Sequence, residues 1–256
     1  MILLENFSGR FGNKFLSYNN VRQIAHSFNQ QWYVPPWEGD VLFEKSNNNF
    51  LVKNSIRLTI LDFLKSDREI QEILNKSDVI VDPHILGSIF FRFIKLNPRS
   101  FLMNKFNNKC GQVGIHFRGT DFFQWNPKSI LSSEYYLNSI KVCIDNFNDL
   151  EFVLFTDDYN LESFKSVLTF INENKIKYRM GKFQKTGNFL DDFIDLASCD
   201  TIISSPSTFA ISAGMIGNSR IIHSKEWIKH RVNENDKFWV DVQKTGTTFY
   251  SLWKQI

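Results

Sequence analysis

Apolar runs of strand length alternate with amphipathic stretches along most of this chain. MILLEN at the start is an apolar run, and residues 14–30 place Phe15, Tyr18, Val21, Ala25 and Phe28 on one helical face. QWYVPPW reads as a short strand stopped by Pro35 and Pro36. Residues 38–78 are polar and asparagine-rich, with a helical pattern around Ile56 to Leu64, and DVIVDPH (78–84) reads as a buried strand. ILGSIFFRFIKL carries Arg92 and Lys95, is too short to cross a bilayer, and reads as a core helix.

From residue 112 the pattern becomes regular. QVGIHFR, EFVLFTDD, KIKYRM, TIISS and SRIIHS read as strands. Between them fall a helix from Glu134 to about Phe147 with Ser133 as its N-cap, and a helix after Asn160 with Phe164, Val167, Leu168 and Ile171 on one side. DDFIDLASC and STFAISAGMI, the latter ending at Gly217, supply two more. Strands alternating with helices at this spacing predict an α/β chain with a parallel sheet covered on both faces. The regular half begins near NNKCG, which predicts two domains, 1–110 and 111–256, with a last helix of the second packing back on the first.

Composition narrows the function classes modestly. The chain has 256 residues, 43% hydrophobic and 22% charged, the balance of an ordinary globular protein. Its net charge of +3 suits an anionic ligand, and no segment clusters Lys and Arg with stacking aromatics as a nucleic-acid surface does. Three widely spaced cysteines form neither a disulfide framework nor a metal-type spacing. The first residues lack the basic and apolar regions of a signal peptide. Together these predict a cytoplasmic protein, free or peripheral to a membrane, with no transmembrane segment.

Open parallel sheets bind ligands beyond the carboxyl ends of their strands. After VGIHF comes Arg118 with Gly119, Thr120 and Asp121; after VLFT come Asp157 and Asp158; after TIISS come Pro206, Ser207 and Thr208, opening a helix. A helix N-terminus is a ready anion site, and a guanidinium opposite it would complete a diphosphate clamp. Plainer roles are open at each position. These are an N-cap alone for Ser207 or Thr208, a hydrogen-bonded core residue for His116, and the structural partner of Arg118 for Asp121. No P-loop, Gly-x-Gly-x-x-Gly or Gly-x-Ser-x-Gly occurs, and no two aspartates stand at i and i+2 as in a metal clamp. With no metal ligand set in the sequence, charge neutralisation falls to arginine and backbone dipoles.

GRFGN after the first strand, VPPW, VGIHFRGTD, FTDD and DDFIDLASCDTIISSPSTFAISA, in that order, resemble the fucosyltransferase superfamily. That superfamily includes protein O-fucosyltransferases and the α-1,2- and α-1,6-fucosyltransferases. Residues 9–37 look most like protein O-fucosyltransferases, while HFRGTD falls between the α-1,2 and α-1,6 patterns. The resemblance implies a GT-B-like fold, two Rossmann-like domains facing across a cleft, and an inverting transferase using GDP-fucose without metal or other cofactor. The chain departs from the eukaryotic members in lacking their disulfide cysteines and signal sequence, which points away from a folded secreted protein acceptor and towards a glycan or lipid-linked saccharide, in polysaccharide biosynthesis.

Carried over by position, Arg118 would hold the β-phosphate and assist its departure, and His116 would contact the nucleotide. Asp192, eight residues before Asp200, would bind guanine, and Ser207, Thr208 and Phe209 would take the diphosphate and flank the base. Asn13 would reach the reacting centre, with Gly9 and Gly12 letting the backbone approach and Arg10 in the same donor-binding block. A single arginine replaces the Arg-Arg pair of the glycan-type enzymes, which leaves a GDP-hexose or UDP-xylose donor open. A non-catalytic nucleotide- or glycan-binding module is the reading from another class. Glu38, just after VPPW, is the carboxylate considered as general base, with substrate phosphate or water as alternatives.

Overall fold

The computed structural model describes residues 1–46, 54–58, 62, 65–82, 102–103, 109–125, 127–224, 239–242 and 247–251. Its contacts divide the chain into two compact units, Met1–Lys105 and Phe106–Ile256.

The first unit holds a four-stranded parallel sheet in the order β2-β1-β4-β3: β1 Ile2–Leu3, β2 Trp32–Tyr33, β3 Ser55–Leu58 and β4 Asp78–Val81. Helix α1 (Phe11–Ser27) connects the first two strands. Its expected apolar face is buried, but so are Ser17, Asn19, Asn20 and Gln23, so the helix is enclosed on more than one side. Phe15, Tyr18, Trp37 and Phe43 form an aromatic core; the Trp37 and Phe43 rings stack at 5.8 Å, which suits flat apolar surfaces offset from one another.

Two expectations fail here. The helical pattern at Ile56 to Leu64 begins as strand β3, because pairing of Ser55–Leu58 with β4 outweighs a weak local period. Helix α2 (Asp67–Lys76) lies in the stretch read only as polar, and its signal was a capping box: the Ser66 hydroxyl accepts from Glu69 N–H while Glu69 accepts from Ser66 N–H. The core helix read at 85–96 lies outside the described residues.

The second unit is built on strands β5 Lys109–Phe117, β6 Glu151–Thr156, β7 Tyr178–Met180, β8 Cys199–Ser204 and β9 Arg220–Ser224, all parallel, in the order β9-β8-β5-β6-β7. Helices α3 (Ser133–Asn146), α4 (Glu162–Glu173), α5 (Phe189–Ala197) and α6 (Thr208–Gly217) connect them. Ser132, one residue before the expected Ser133, caps α3 by accepting from Tyr135 N–H.

Beyond β9 the sheet continues with antiparallel strands β11 (Thr247–Ser251) and β10 (Trp239–Val242). The described part of the tail is therefore strand where a last helix was expected; residues 225–238, 243–246 and 252–256 lie outside the described set.

Period-two alternation assigns the faces. Val113, Ile115 and Phe117 of β5 join Phe152, Leu154, Ile203 and Ile222 in one cluster with Tyr136 and Ile140 of α3 and Phe164, Val167 and Ile171 of α4. The intervening Gly114 and Ile202 face α5 and α6, where Leu196 and Gly214 pack. Arg179 of β7 fixes α5 by a two-point ion pair with the buried Asp195, at 2.6 and 2.9 Å. Both helical layers are thus keyed to alternate residues of the same strands.

Gly217 ends α6 against the preceding connection: a β-carbon there would lie 1.9 Å from the Ala197 carbonyl oxygen. Alanine is the better helix former by about 1 kcal/mol, yet overpacking against backbone costs about 1–3 kcal/mol. At 1.9 Å from backbone the clash falls at the upper end of that cost, so Gly217→Ala should lower stability by about 2 kcal/mol in urea unfolding. Equal or greater stability would contradict this packing.

Candidate active site

The strand order of the second unit reverses between β5 and β8, the point at which open α/β sheets form their ligand crevice. The sequence-predicted residues after those two strands meet at this point. His116 is the last β5 residue on the α5–α6 face, and Arg118 follows the strand end.

Arg118 is held on two sides. One terminal nitrogen lies 2.8 Å from Asp121 Oδ1 and the other 2.8 Å from Asp157 Oδ2. Asp157 is fixed in turn: Gly119 N–H donates to Oδ1 and Thr120 Oγ to Oδ2, each at 2.8 Å. The Phe122 ring lies 5.6 Å from the guanidinium carbon. The Arg118 side chain is 15% exposed, so the charge is largely sheltered and oriented while part of it still faces water. Asp121 is the structural partner the sequence allowed, and Asp157 is a second.

His116 Nδ1 lies 2.7 Å from Ser205 Oγ, and its ring stacks on Phe209 at 5.6 Å between centroids. Phe193 of α5 meets Phe209 edge-on at 5.4 Å. Burial, reinforced by the Arg118 charge, pushes the His116 pKa down to about 4, so the ring is neutral near pH 7. Ser207 is the N-cap of α6, its hydroxyl accepting from Phe209 N–H at 3.3 Å, and Thr208 is the first helical residue. Capping uses an acceptor site of the Ser207 hydroxyl and leaves its hydrogen to give, so cap and anion ligand are compatible roles.

Asp192 lies in the first turn of α5 beyond the end of β7, where it accepts from Phe183 N–H at 2.7 Å. It is partly buried and desolvation raises its pKa. Its present work is to hold the turn at 183–186.

In the first unit, the structure corrects the local placement of the GRFGN block. Helix α1 begins at Phe11, so Gly12 and Asn13 belong to its first turn and not to the strand-to-helix connection. Arg10 is the N-cap, extended, with no side-chain cap bond. Gly9 is left-handed (φ +74°), and a β-carbon on it would lie 2.3 Å from Asn13 Nδ2. The space above Gly9 is filled by Asn13 itself. Next to Asn13, Lys14 Nζ lies 2.7 and 2.8 Å from the two Glu38 oxygens. Burial alone would raise the Glu38 pKa, but the Lys14 hydrogen bond and charge leave it lowered, which weakens it as a base.

Sequence reasoning missed Ser205 and Tyr135. The Tyr135 hydroxyl lies 2.9 Å from the carbonyl oxygens of both Ser204 and Ile222, joining the ends of β8 and β9. Ser205 was legible as the first residue past TIIS; Tyr135 carried no local signal. Among the described residues no group of three or more His, Cys, Asp or Glu could hold a metal ion.

The sequence profile of Glycosyl transferase family 11 matches residues 92–239, more than half of the chain. The chain belongs to that family. This family 11 glycosyltransferase, of fucosyltransferase type, gives no match among curated proteins, but solved structures share its fold. POFUT1 in complex with GDP-fucose aligns with a TM-score of 0.58 at 10% identity, over 85% of this chain and 94% of that one. A FUT1 variant from Arabidopsis thaliana in complex with GDP aligns at 0.54 and 12%, over 86% and 69%. The fucosyltransferase NodZ from Bradyrhizobium aligns at 0.48 and 15%, over 87% and 94%. The two parallel α/β sheets of the transferase are those of GT-B fucosyltransferases. No helix among its described residues is long and apolar enough to cross a membrane.

The buried histidines set an acid limit. His116 and His223 have folded pKa values of about 4 and about 3, both through burial, against about 6.5 unfolded. Below about pH 6.5 the unfolded chain binds more protons, so stability is lost as pH falls from about 6.5 towards 4. Asp192, with a raised value, works in the opposite sense only over the carboxylate range. Urea unfolding should give a smaller free energy at pH 5 than at pH 7; an equal or larger one would contradict the buried, neutral state of these rings.

Proposed function

We propose that this glycosyltransferase moves fucose from GDP-fucose to a hydroxyl of a glycan or lipid-linked saccharide, with inversion at the sugar carbon and without a metal. The observation carrying the reading is the junction of the Arg118 loop with the start of α6 through His116, Ser205 and Phe209. That junction puts a fixed guanidinium and a helix N-terminus on one crevice edge, as a diphosphate requires. The GDP and GDP-fucose named with the related structures agree with it.

The chemistry follows from where charge develops. The bond between the anomeric carbon and the β-phosphate oxygen breaks, leaving negative charge on the diphosphate and positive charge on the ring. The acceptor oxygen adds from the opposite face and gives up its proton. Arg118 stabilises the departing β-phosphate, and its preset orientation spares reorganisation at that moment. Ser207 and the α6 N-terminus hold the diphosphate, and Asp192 receives the guanine N–H groups. Glu38, already engaged by Lys14, is a poor proton acceptor, so substrate or water takes the proton. A cytoplasmic location suits an intracellular nucleotide-sugar donor.

Arg118→Lys keeps the charge but loses the two-point fork, without stranding Asp121 and Asp157 as alanine would. It should reduce kcat by about 100-fold or more, the scale for losing one transition-state donor, while unfolding changes little. Undiminished turnover would remove Arg118 from the chemistry. In isothermal titration the protein should bind GDP; binding of UDP alone would overturn the donor assignment.

A further inference from the structure

Ser205, the first residue after β8, is 1% exposed and ties two elements together. Its N–H donates to the His116 carbonyl at 3.0 Å, and its own carbonyl accepts from Ser207 N–H at 2.7 Å. Its hydroxyl oxygen lies 2.7 Å from His116 Nδ1. The same serine therefore grips His116 by backbone and by side chain, and holds the residue that caps α6.

The direction of the side-chain bond follows from counting hydrogens. A serine hydroxyl has one hydrogen and a neutral imidazole has one, on either nitrogen. If Nδ1 carried the imidazole hydrogen and gave it to Ser205, the Ser205 hydrogen would be shut inside the protein without an acceptor among the described residues. A buried donor left unmade carries its full desolvation cost. With Nδ1 bare, Ser205 gives its hydrogen to the ring, and the imidazole hydrogen resides on Nε2. In that second arrangement the donor left over is Nε2–H, on a ring that is 6% exposed, instead of the hydroxyl of Ser205, which is 1% exposed.

We propose that Ser205 is a positioning residue that holds His116 in the Nε2–H form, as a neutral hydrogen-bond donor to the diphosphate. The tautomer follows from the Ser205 contacts alone; only the identity of the receiving ligand rests on the function proposed above. Three further features favour it. The stack on Phe209 at 5.6 Å fixes the ring plane, and Phe193 backs Phe209. The ring is 6% exposed, so it is not fully sealed. Its depressed basicity, from burial and the Arg118 charge, keeps it from becoming a second cation there. A bare Nε2 would instead turn a lone pair toward an incoming anion.

The test uses the full-length protein labelled with ¹⁵N-histidine at pH 7, with the His116 signals assigned by their loss in His116→Gln. Long-range ¹H–¹⁵N correlation should show the Nε2–H pattern in the wild type. In Ser205→Ala the ring should become a tautomer mixture, and the dissociation constant for GDP should rise about tenfold, the order expected for a hydrogen bond to a charged group. An Nδ1–H pattern in the wild type overturns the proposal. So does a folded Ser205→Ala that keeps both the wild-type tautomer and the wild-type GDP affinity, as a merely structural serine would. If that variant does not fold, the wild-type spectrum still decides the tautomer. If the wild type binds UDP and not GDP, the donor reading fails while the spectrum judges Ser205 independently.

Discussion

A guanidinium at the end of a buried parallel strand must be compensated, and the site depends on how that is done. Asp121 and Asp157 hold Arg118 from two sides, and Asp157 is itself held by Gly119 and Thr120. The result is a cation with a fixed direction in a partly shielded place, where its charge acts more strongly than in bulk water. Two carboxylates against one arginine also leave the loop locally negative, so a diphosphate must win Arg118 from at least one of them. The same pairing that orders the arginine thus limits binding to ligands that offer two-point oxygen geometry.

The sheet supplies the positions. Odd-numbered residues of β5 go to the α3–α4 core, which leaves Gly114, His116 and then Arg118 for the other face. His116 accordingly meets α6 and its Phe209, and the crossover to β8 brings Ser205 beneath it. Strand alternation, the switch in strand order and one buried hydrogen bond are enough to assemble the crevice edge from residues about 90 apart in sequence.

Much of this was legible wherever the period was unambiguous. The strands VGIHF, VLFT and TIISS and the helices between them follow from alternating and helical patterns, and the strand-end rule alone draws attention to Arg118, Ser207 and Thr208, whereas Phe209 entered only through the family resemblance. The short strand at Ser55–Leu58 was misread because its hydrogen bonds lie in β4, 20 or more residues away, and nothing local marks them. β11, which pairs with β9 from the far end of the chain, escaped for the same reason. In the first unit the pairing of Lys14 with Glu38, and in the second the use of Asp192 to hold Phe183 N–H, were invisible, since each depends on a tertiary contact with no sequence signature. GRFGN was seen as a unit, but its division between turn and helix was not: a helix starting at Phe11 needs no side-chain cap, and so left no signal.

The central claim is that Arg118 and the N-terminus of α6 together receive the leaving diphosphate. A crystal structure of the protein with GDP measures this directly. The β-phosphate should lie within hydrogen-bonding distance of the Arg118 guanidinium and of the Ser207–Phe209 segment, with at least one of the Asp121 and Asp157 contacts given up. A diphosphate bound elsewhere, with Arg118 still on both carboxylates, would contradict it.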